Sequence, residues 1–332
     1  QRDGAGGRAL AFLSHVHISV QQTAQRTPTP MQRFQLKRDD GDISICHWSA
    51  NGKPVLHWAH ANGFNAQTYD PLLTPLAGDF DVYAADARGH GFSTLAADPA
   101  HYRGWTQYRN DLIGVVDHLC DKAGEKIWLG GHSMGGCASV MAAAKRPDLV
   151  AGLVLADPVI VPRRERLLAR MRFRNGGGFA LAVNAAKRRA DWPDAETVIK
   201  AYTGRGAFQT WQDGFLEAYV DGGVRPLDGG GENTVTLACA PAWEAANFND
   251  QRHNSTGPAR RLKVPFTLMM AESGSTTRSV LSFRLARASK KIEVIAGSSH
   301  FLPMEFPDLV RAEIYARAGL AGKGRTSSSI NR

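Results

Sequence analysis

Ser133 lies in "GGHSMGG" (130–136), directly after the apolar run "KIWL" and ahead of the small-residue run "GGCASVMAAAKR". A serine hydroxyl is a weak nucleophile until a positioned base takes its proton. Driving such a serine out at a sheet edge requires a sharp strand-to-helix turn, and the residues two before and two after it must be small. Gly131 and Gly135 meet that demand. G-x-S-x-G is a short pattern, and a glycine-rich turn with a passive serine is its bland reading. The strand before it and the small-residue helix after it favour a nucleophile.

A base for that serine is expected at His300, in "GSSHFLPMEFP" after the last apolar strand run "KIEVIAG". Loops of that kind sit at the carboxyl ends of parallel strands, where open sheets build their sites. The other histidines fit other roles. His57 and His60 are three apart on or just after a strand, so alternation sends them to opposite faces and makes them a poor metal pair. His132 is expected to pack or bond locally, and His90 belongs to a turn. An oxyanion needs preorganised N–H donors. The backbone N–H of Met134, at a helix start, is one candidate; that of Phe64 in "HANGF", beside the permissive Gly63, is the other.

The elements that must carry these groups follow from the patterning. "RFQLKR" and "ISICHWS", split by "DDGD", read as an antiparallel hairpin. "VLHWAH" is a strand leading through a loop into a helix, and "DVYAADARGHGFS" is a buried strand followed by a glycine-rich turn. Tyr108, Leu112, Val115, Val116 and Leu119 form one helical stripe, with Thr106 as its expected N-cap. "AGLVLADP", "VPFTLMMA" and "KIEVIAG" are further buried strands, the last two flanking the helix "SVLSFRLARA"; "DLVRAEIYARAG" closes the chain as a helix. Strands alternating with helices predict a mostly parallel sheet covered on both faces. Between Pro158 and about Arg261 that rhythm fails, and the segment reads as an inserted, mainly helical cap. The expected division is therefore a disordered leader or non-native extension over 1–30, a core over 31–158 and 262–320, a cap over 159–261, and a disordered tail over 321–332.

With 332 residues, 43% of them hydrophobic and 21% charged, the chain has ordinary globular composition and length for a large core. No apolar run reaches the roughly 18 residues needed to span a bilayer. Four scattered cysteines fit buried thiols in a reducing, cytoplasmic setting better than disulfides or a zinc site. The formal charge of +9 is concentrated in "RRERLLARMRFR" and "KRR". That excess reads as a solvated helix face or a lure for acidic substrates, and without a nucleic-acid-binding motif beside it nucleic acid is not an expected partner.

The ordered set "HANGF", "DARGHGFS", "GHSMGG" and "GSSHFLPMEFP" resembles the α/β-hydrolase superfamily, in its cap-bearing serine hydrolase and esterase branch. The likeness covers roughly residues 33–158 and 262–318. It implies an α/β-hydrolase fold, a mostly parallel central sheet flanked by helices. Serine rather than aspartate at 133 argues against dehalogenase or epoxide hydrolase chemistry. Asp86 and Arg88 resemble a structural turn found throughout the family. The departure concerns the acid. In most relatives an aspartate follows the next-to-last strand, whereas "LMMAESGSTT" places Gly274 there. Asp157, ending "AGLVLADP", is the preferred acid, as some relatives carry theirs after this strand; Glu272 is held in reserve.

These residues imply a serine hydrolase acting on a small to medium ester or acyl substrate, with chemistry that needs neither cofactor nor metal. Trp211, Phe215, Tyr219, Trp243 and Phe248 are candidates for an apolar pocket, or for cap core. A C–C bond hydrolase acting on diketone-type acids is the alternative within enzymes. A non-catalytic, hydrolase-like receptor or scaffold is the alternative outside them, supported only by Gly274.

Overall fold

A computed structural model describes residues 30–49, 53–102, 104–174, 179–249 and 253–320. The expected tail, and the expected leader apart from its last residue, lie outside these. The strands are β1 (Gln32–Arg38), β2 (Gly41–Trp48), β3 (Val55–Ala59), β4 (Asp81–Ala85), β5 (Ile127–His132), β6 (Val150–Ala156), β7 (Asp191–Trp192), β8 (Val224–Pro226), β9 (Val235–Leu237), β10 (Phe266–Ala271) and β11 (Lys290–Ile295). Eight of them form one sheet in the order β1-β2-β4-β3-β5-β6-β10-β11. The β1–β2 and β2–β4 pairs are antiparallel, and the others are parallel.

The parallel arrangement explains why the central strands are apolar on both faces: helices cover each side. All five residues of β3 are buried, as are six of seven in β6. One core cluster joins Leu129, Val140, Leu153 and Leu268 to the helix Thr106–Ala123; a second joins Trp58, Val82, Met269 and Ile314 on the opposite side. Because β3, β5, β6, β10 and β11 run the same way, the loops that leave their carboxyl ends converge on one edge. Those loops begin at His60, Ser133, Asp157, Glu272 and Ala296.

Local expectations fail where short-range chemistry intervenes. The segment after β3 is not one helix but a 3-10 turn (Gln67–Tyr69), a four-residue helix (Asp70–Leu73) and another 3-10 turn (Thr74–Gly78). Pro71 and Pro75 each remove a backbone donor there. Thr106 is the first helical residue rather than the cap, which is Trp105, whose buried indole N–H donates to Asn247 O at 3.2 Å. The helix expected over "SVLSFRLARA" is only Val280–Arg284.

Among the described residues, the segment between β6 and β10 holds six α-helices, a 3-10 turn and a three-stranded sheet, β7-β9-β8. Strands of two or three residues are too short to imprint an alternation, so the sequence pattern does not announce them. This segment is stapled to the loops at the sheet's edge. Asn65 Nδ2 donates to Tyr219 O at 2.9 Å, Asn62 Nδ2 to Glu244 O at 3.1 Å, and the Gln212 N–H to Met304 O at 3.1 Å.

Candidate active site

The turn at Ser133 is built by what its neighbours lack. A Cβ on Gly135 would lie 2.2 Å from Ala59 O, and one on Gly131 would lie 2.8 Å from the backbone of Gly135 and Gly136. Only bare backbone lets the helix Ser133–Lys145 pass this close to β3 and to the end of β5. Ser133 takes a φ of 54° in consequence. Its carbonyl accepts from the Val159 N–H at 3.1 Å, which ties the turn to the segment after β6.

Asp157 also holds a positive φ, 42°, and among the described residues these two are the only non-glycines that do. Left-handed backbone costs an L-residue on the order of 1–2 kcal/mol, so surrounding structure must hold both in place. The Asp157 carboxylate is fully buried, yet it is surrounded by donors. Ser275 Oγ at 2.5 Å and the Ala271 N–H at 3.2 Å donate to Oδ1, and the Thr276 N–H at 2.8 Å donates to Oδ2. Burial pushes this carboxyl up, but its bond to His300, the histidine's charge and the Ser275 and Thr276 donors outweigh burial and hold it below the usual carboxylate range.

His300 connects the two strained residues. Its Nδ1–H donates to Asp157 Oδ2 at 2.7 Å, and its Nε2 stands 3.0 Å from Ser133 Oγ, positioned to accept the hydroxyl proton. The Asp157 contact fixes this tautomer, because a carboxylate needs a donor on the nitrogen facing it. Glu272 does not approach His300: its Oε2 accepts from the Gly297 N–H at 2.9 Å. The run "SGSTT", notable in sequence for its missing aspartate, instead supplies donors to Asp157. Hydroxyls clustered beside a strand end were the available signal.

Around the serine the rings are continuous. Phe301 lies 5.8 Å from His300, Phe64 6.3 Å from Phe301, and Trp211 5.4 Å from Phe64, with Tyr219 5.7 Å from Phe64. Ser133 beneath them is 7% exposed. The aromatics named from the insert therefore divide. Trp211 and Tyr219 join the Phe64 group. Phe215 is buried in the second core cluster, and Phe248 packs on Ala182, Ala185 and Ala245. Trp243 donates its indole N–H to Arg88 O at 3.1 Å. Phe215 and Trp243 are buried and Phe248 is half-buried, because their elements turn them inward, which a count of aromatics does not reveal. Phe301 was not singled out from sequence.

Met134 is buried at the start of the elbow helix. The Phe64 N–H, expected to be free for an oxyanion, closes a turn on Ala61 O at 3.2 Å. The buried histidines hold backbone. His57, His60 and His90 accept at Nε2 from the N–H groups of Ala85 (3.2 Å), Ala87 (2.8 Å) and Gly63 (3.0 Å). The expected divergence of His57 from His60 fails because β3 ends at Ala59, and both histidines meet the chain where β4 ends, at Ala85 and Ala87. Burial lowers His57, His90 and His132 to about 3, and lowers His60 as well. Asp86 accepts from the Ala66 and Phe92 N–H groups, and Arg88 forks onto Asp111, so both serve the turn they occupy.

All four cysteines are buried, and none of them is in a disulfide. Among the described residues no group of three or more His, Cys, Asp or Glu side chains is arranged to hold a metal, and no helix is long and apolar enough to cross a membrane.

The sequence profile of the family described as serine aminopeptidase, S33, matches residues 51–188. The 2-(acetamidomethylene)succinate hydrolase of Mesorhizobium japonicum is 27% identical over 82% of this chain and 90% of its own length. Human monoglyceride lipase is 31% identical over 44% of this chain and half (50%) of its own. The crystal structure of an E-2-(acetamidomethylene)succinate hydrolase superposes with a TM-score of 0.68 at 22% identity, over 87% of this chain and 100% of that one.

Proposed function

We propose that the chain, whose fold is that of the α/β-hydrolases, is a serine hydrolase cleaving small to medium carboxylic esters through an acyl-enzyme. The observation that carries this reading is the alignment of Ser133 Oγ, His300 Nε2, His300 Nδ1 and Asp157 Oδ2, joined by contacts of 3.0 and 2.7 Å. His300 takes the Ser133 proton as Oγ attacks the ester carbonyl. Asp157 holds the imidazole tautomer and stabilises its charged form. The oxyanion is met by the Met134 N–H and by the Phe64 N–H, which exchanges its long bond to Ala61 O for the stronger acceptor. His300 returns the proton to the leaving alcohol, and then activates the water that releases the acid. Trp211 and Tyr219 of the insert, acting as a cap, line the acyl side together with Phe64 and Phe301.

A second reading keeps the same nucleophile but changes the bond: hydrolysis of a C–C bond in a diketone-type acid. The relative from Mesorhizobium supports an acid-bearing substrate, since its name specifies a succinate derivative and the likeness runs along most of both chains.

The test is labelling and turnover. Ser133 is expected to react with a fluorophosphonate probe, and the protein to turn over p-nitrophenyl butyrate, with both activities lost in Ser133→Ala. Faster turnover of diketone acids than of simple esters would select the second reading. A folded protein that neither labels nor turns over either class would leave a scaffold.

A further inference from the structure

His132, the residue before Ser133, packs its ring against that of His300, with centroids 4.9 Å apart, and its imidazole is bonded at both nitrogens. Tyr69 OH lies 2.8 Å from Nδ1, and the carbonyl oxygen of His300 lies 2.7 Å from Nε2. The donor order in this chain is determined at both ends. The His300 carbonyl only accepts, so His132 Nε2 carries the hydrogen. Nδ1 is then an acceptor, and the Tyr69 hydroxyl donates to it. The same hydroxyl accepts from the Ala61 N–H at 3.1 Å, leaving its own hydrogen free for the imidazole.

Four segments are thereby linked in one line: the loop after β3 through Ala61, the 3-10 turn through Tyr69, the elbow through His132, and the loop after β11 through His300. His132 and Tyr69 are fully buried. Burial drives the His132 imidazole down to about 3 and the Tyr69 phenol upward, so both stay neutral across the working range. A neutral imidazole is needed, because a protonated one would have no acceptor for the tyrosine. His57, His60 and His90 are held through the opposite tautomer, with Nε2 accepting from backbone. His132 alone among these four aims an N–H at the main chain of another histidine.

We infer that His132 is a positioning residue: its Nε2–H fixes the backbone of His300, and so sets the approach of the His300 ring to Ser133. This rests on the hydrolase reading above. The loop after β11 holds His300 between two contacts that pull on the ring, Asp157 on one nitrogen and Ser133 on the other. The bond to the carbonyl restrains the third point and removes rotation of the residue about those two. A shift of about 1 Å in a reacting group is worth roughly a hundredfold in rate, so a restraint acting at 2.7 Å on the base has kinetic weight.

Two side chains separate this role from simple packing. His132→Gln places an amide N–H near the position of Nε2, while His132→Asn keeps a polar group near Nδ1 and loses the reach to His300. The expected result is that Gln retains kcat within about threefold of wild type. Asn should lower kcat and the rate of fluorophosphonate labelling by tenfold or more, with KM within about twofold and Tm close to that of the Gln variant. Equal rates in the Gln and Asn variants, whether both high or both low, would overturn the inference. Nitrogen NMR of the unaltered protein adds a readout independent of folding: His132 is expected as the Nε2–H tautomer, and an Nδ1–H signal would also overturn it. Failure of wild-type Ser133 to label would instead strike the hydrolase reading, and the tautomer spectrum separates the two failures.

Discussion

Ser133 and Asp157 are tied through their backbones as well as through His300. The Val159 N–H, two residues past Asp157, donates to Ser133 O at 3.1 Å, and both residues hold left-handed backbone, with φ of 54° and 42°. Asp157 is therefore positioned by the element that also braces Ser133. Its side chain is held from the other side by the loop after β10, through Ser275 and Thr276. Asp157, just past the end of β6, thus reaches His300, while Gly274 in the loop after β10 offers no carboxylate.

We predict that Asp157→Asn lowers kcat by about three to four orders of magnitude, because an amide no longer enforces the Nδ1–H tautomer of His300. Glu272→Gln is expected within about twofold of wild type, since Glu272 holds the Gly297 N–H and not the imidazole. Steady-state kinetics on p-nitrophenyl butyrate decides, and the reverse ranking would move the acid to Glu272.

The insert's aromatics are expected to respond in two ways. Trp211→Ala opens the ring group around Phe64 and Phe301, and should change KM for esters several-fold while shifting Tm little. Trp243→Ala removes a side chain that is 2% exposed and leaves the Arg88 carbonyl without its indole donor. It should cost about 3–5 kcal/mol of stability. Urea denaturation with parallel kinetics separates them; a stability loss at Trp211 as large as that at Trp243 would return Trp211 to the core.

Much of this was legible in the sequence, for identifiable reasons. Gly131 and Gly135 declare the elbow because no other residue fits between β5, β3 and the helix. The alternating and buried runs mark all eight strands of the main sheet. Ser133, His300 and Asp157 are chemically distinctive residues at strand ends, so they could be named without coordinates. What escaped was information carried by tertiary contact alone. The hydroxyls of Ser275 and Thr276 look like any polar loop until Asp157 is placed among them. Tyr69 and His132 are distant in sequence and become partners only when the 3-10 turn packs on the elbow. The two- and three-residue strands of the insert are set by pairing, not by periodicity.

The buried histidines determine how stability responds to acid. His57, His90 and His132 are pulled by burial from an unfolded value near 6.5 to about 3. Their folded pKa values are depressed, so below pH ~6.5 the unfolded chain binds protons that the folded chain refuses. Stability is thus fully present above pH ~6.5 and lost as pH falls toward 3, by up to about 1.4 kcal/mol per pH unit for each histidine. Chemical denaturation between pH 7.5 and 4.5 should show this decline. A flat profile across that range would mean that these rings titrate normally in the fold.

Arg188 supplies the last prediction. Its guanidinium bonds Glu244 Oε2 at 2.5 Å and the hydroxyls of Tyr219 at 2.7 Å and Tyr202 at 3.1 Å. Glu244 in turn lies against Gly63, where a Cβ would come within 2.6 Å of Oε1, and its carbonyl holds Asn62 Nδ2. Part of the insert's basic charge is therefore internal, neutralised beneath the loop that follows β3. Arg188→Met leaves a buried carboxylate without its cation and should destabilise by about 3–5 kcal/mol. The double variant Arg188→Met with Glu244→Gln removes both charges and should recover a large part of that loss. Thermal and urea unfolding of the single and double variants measures the coupling; simple additivity of the two single changes would show that the pair does not act as a unit.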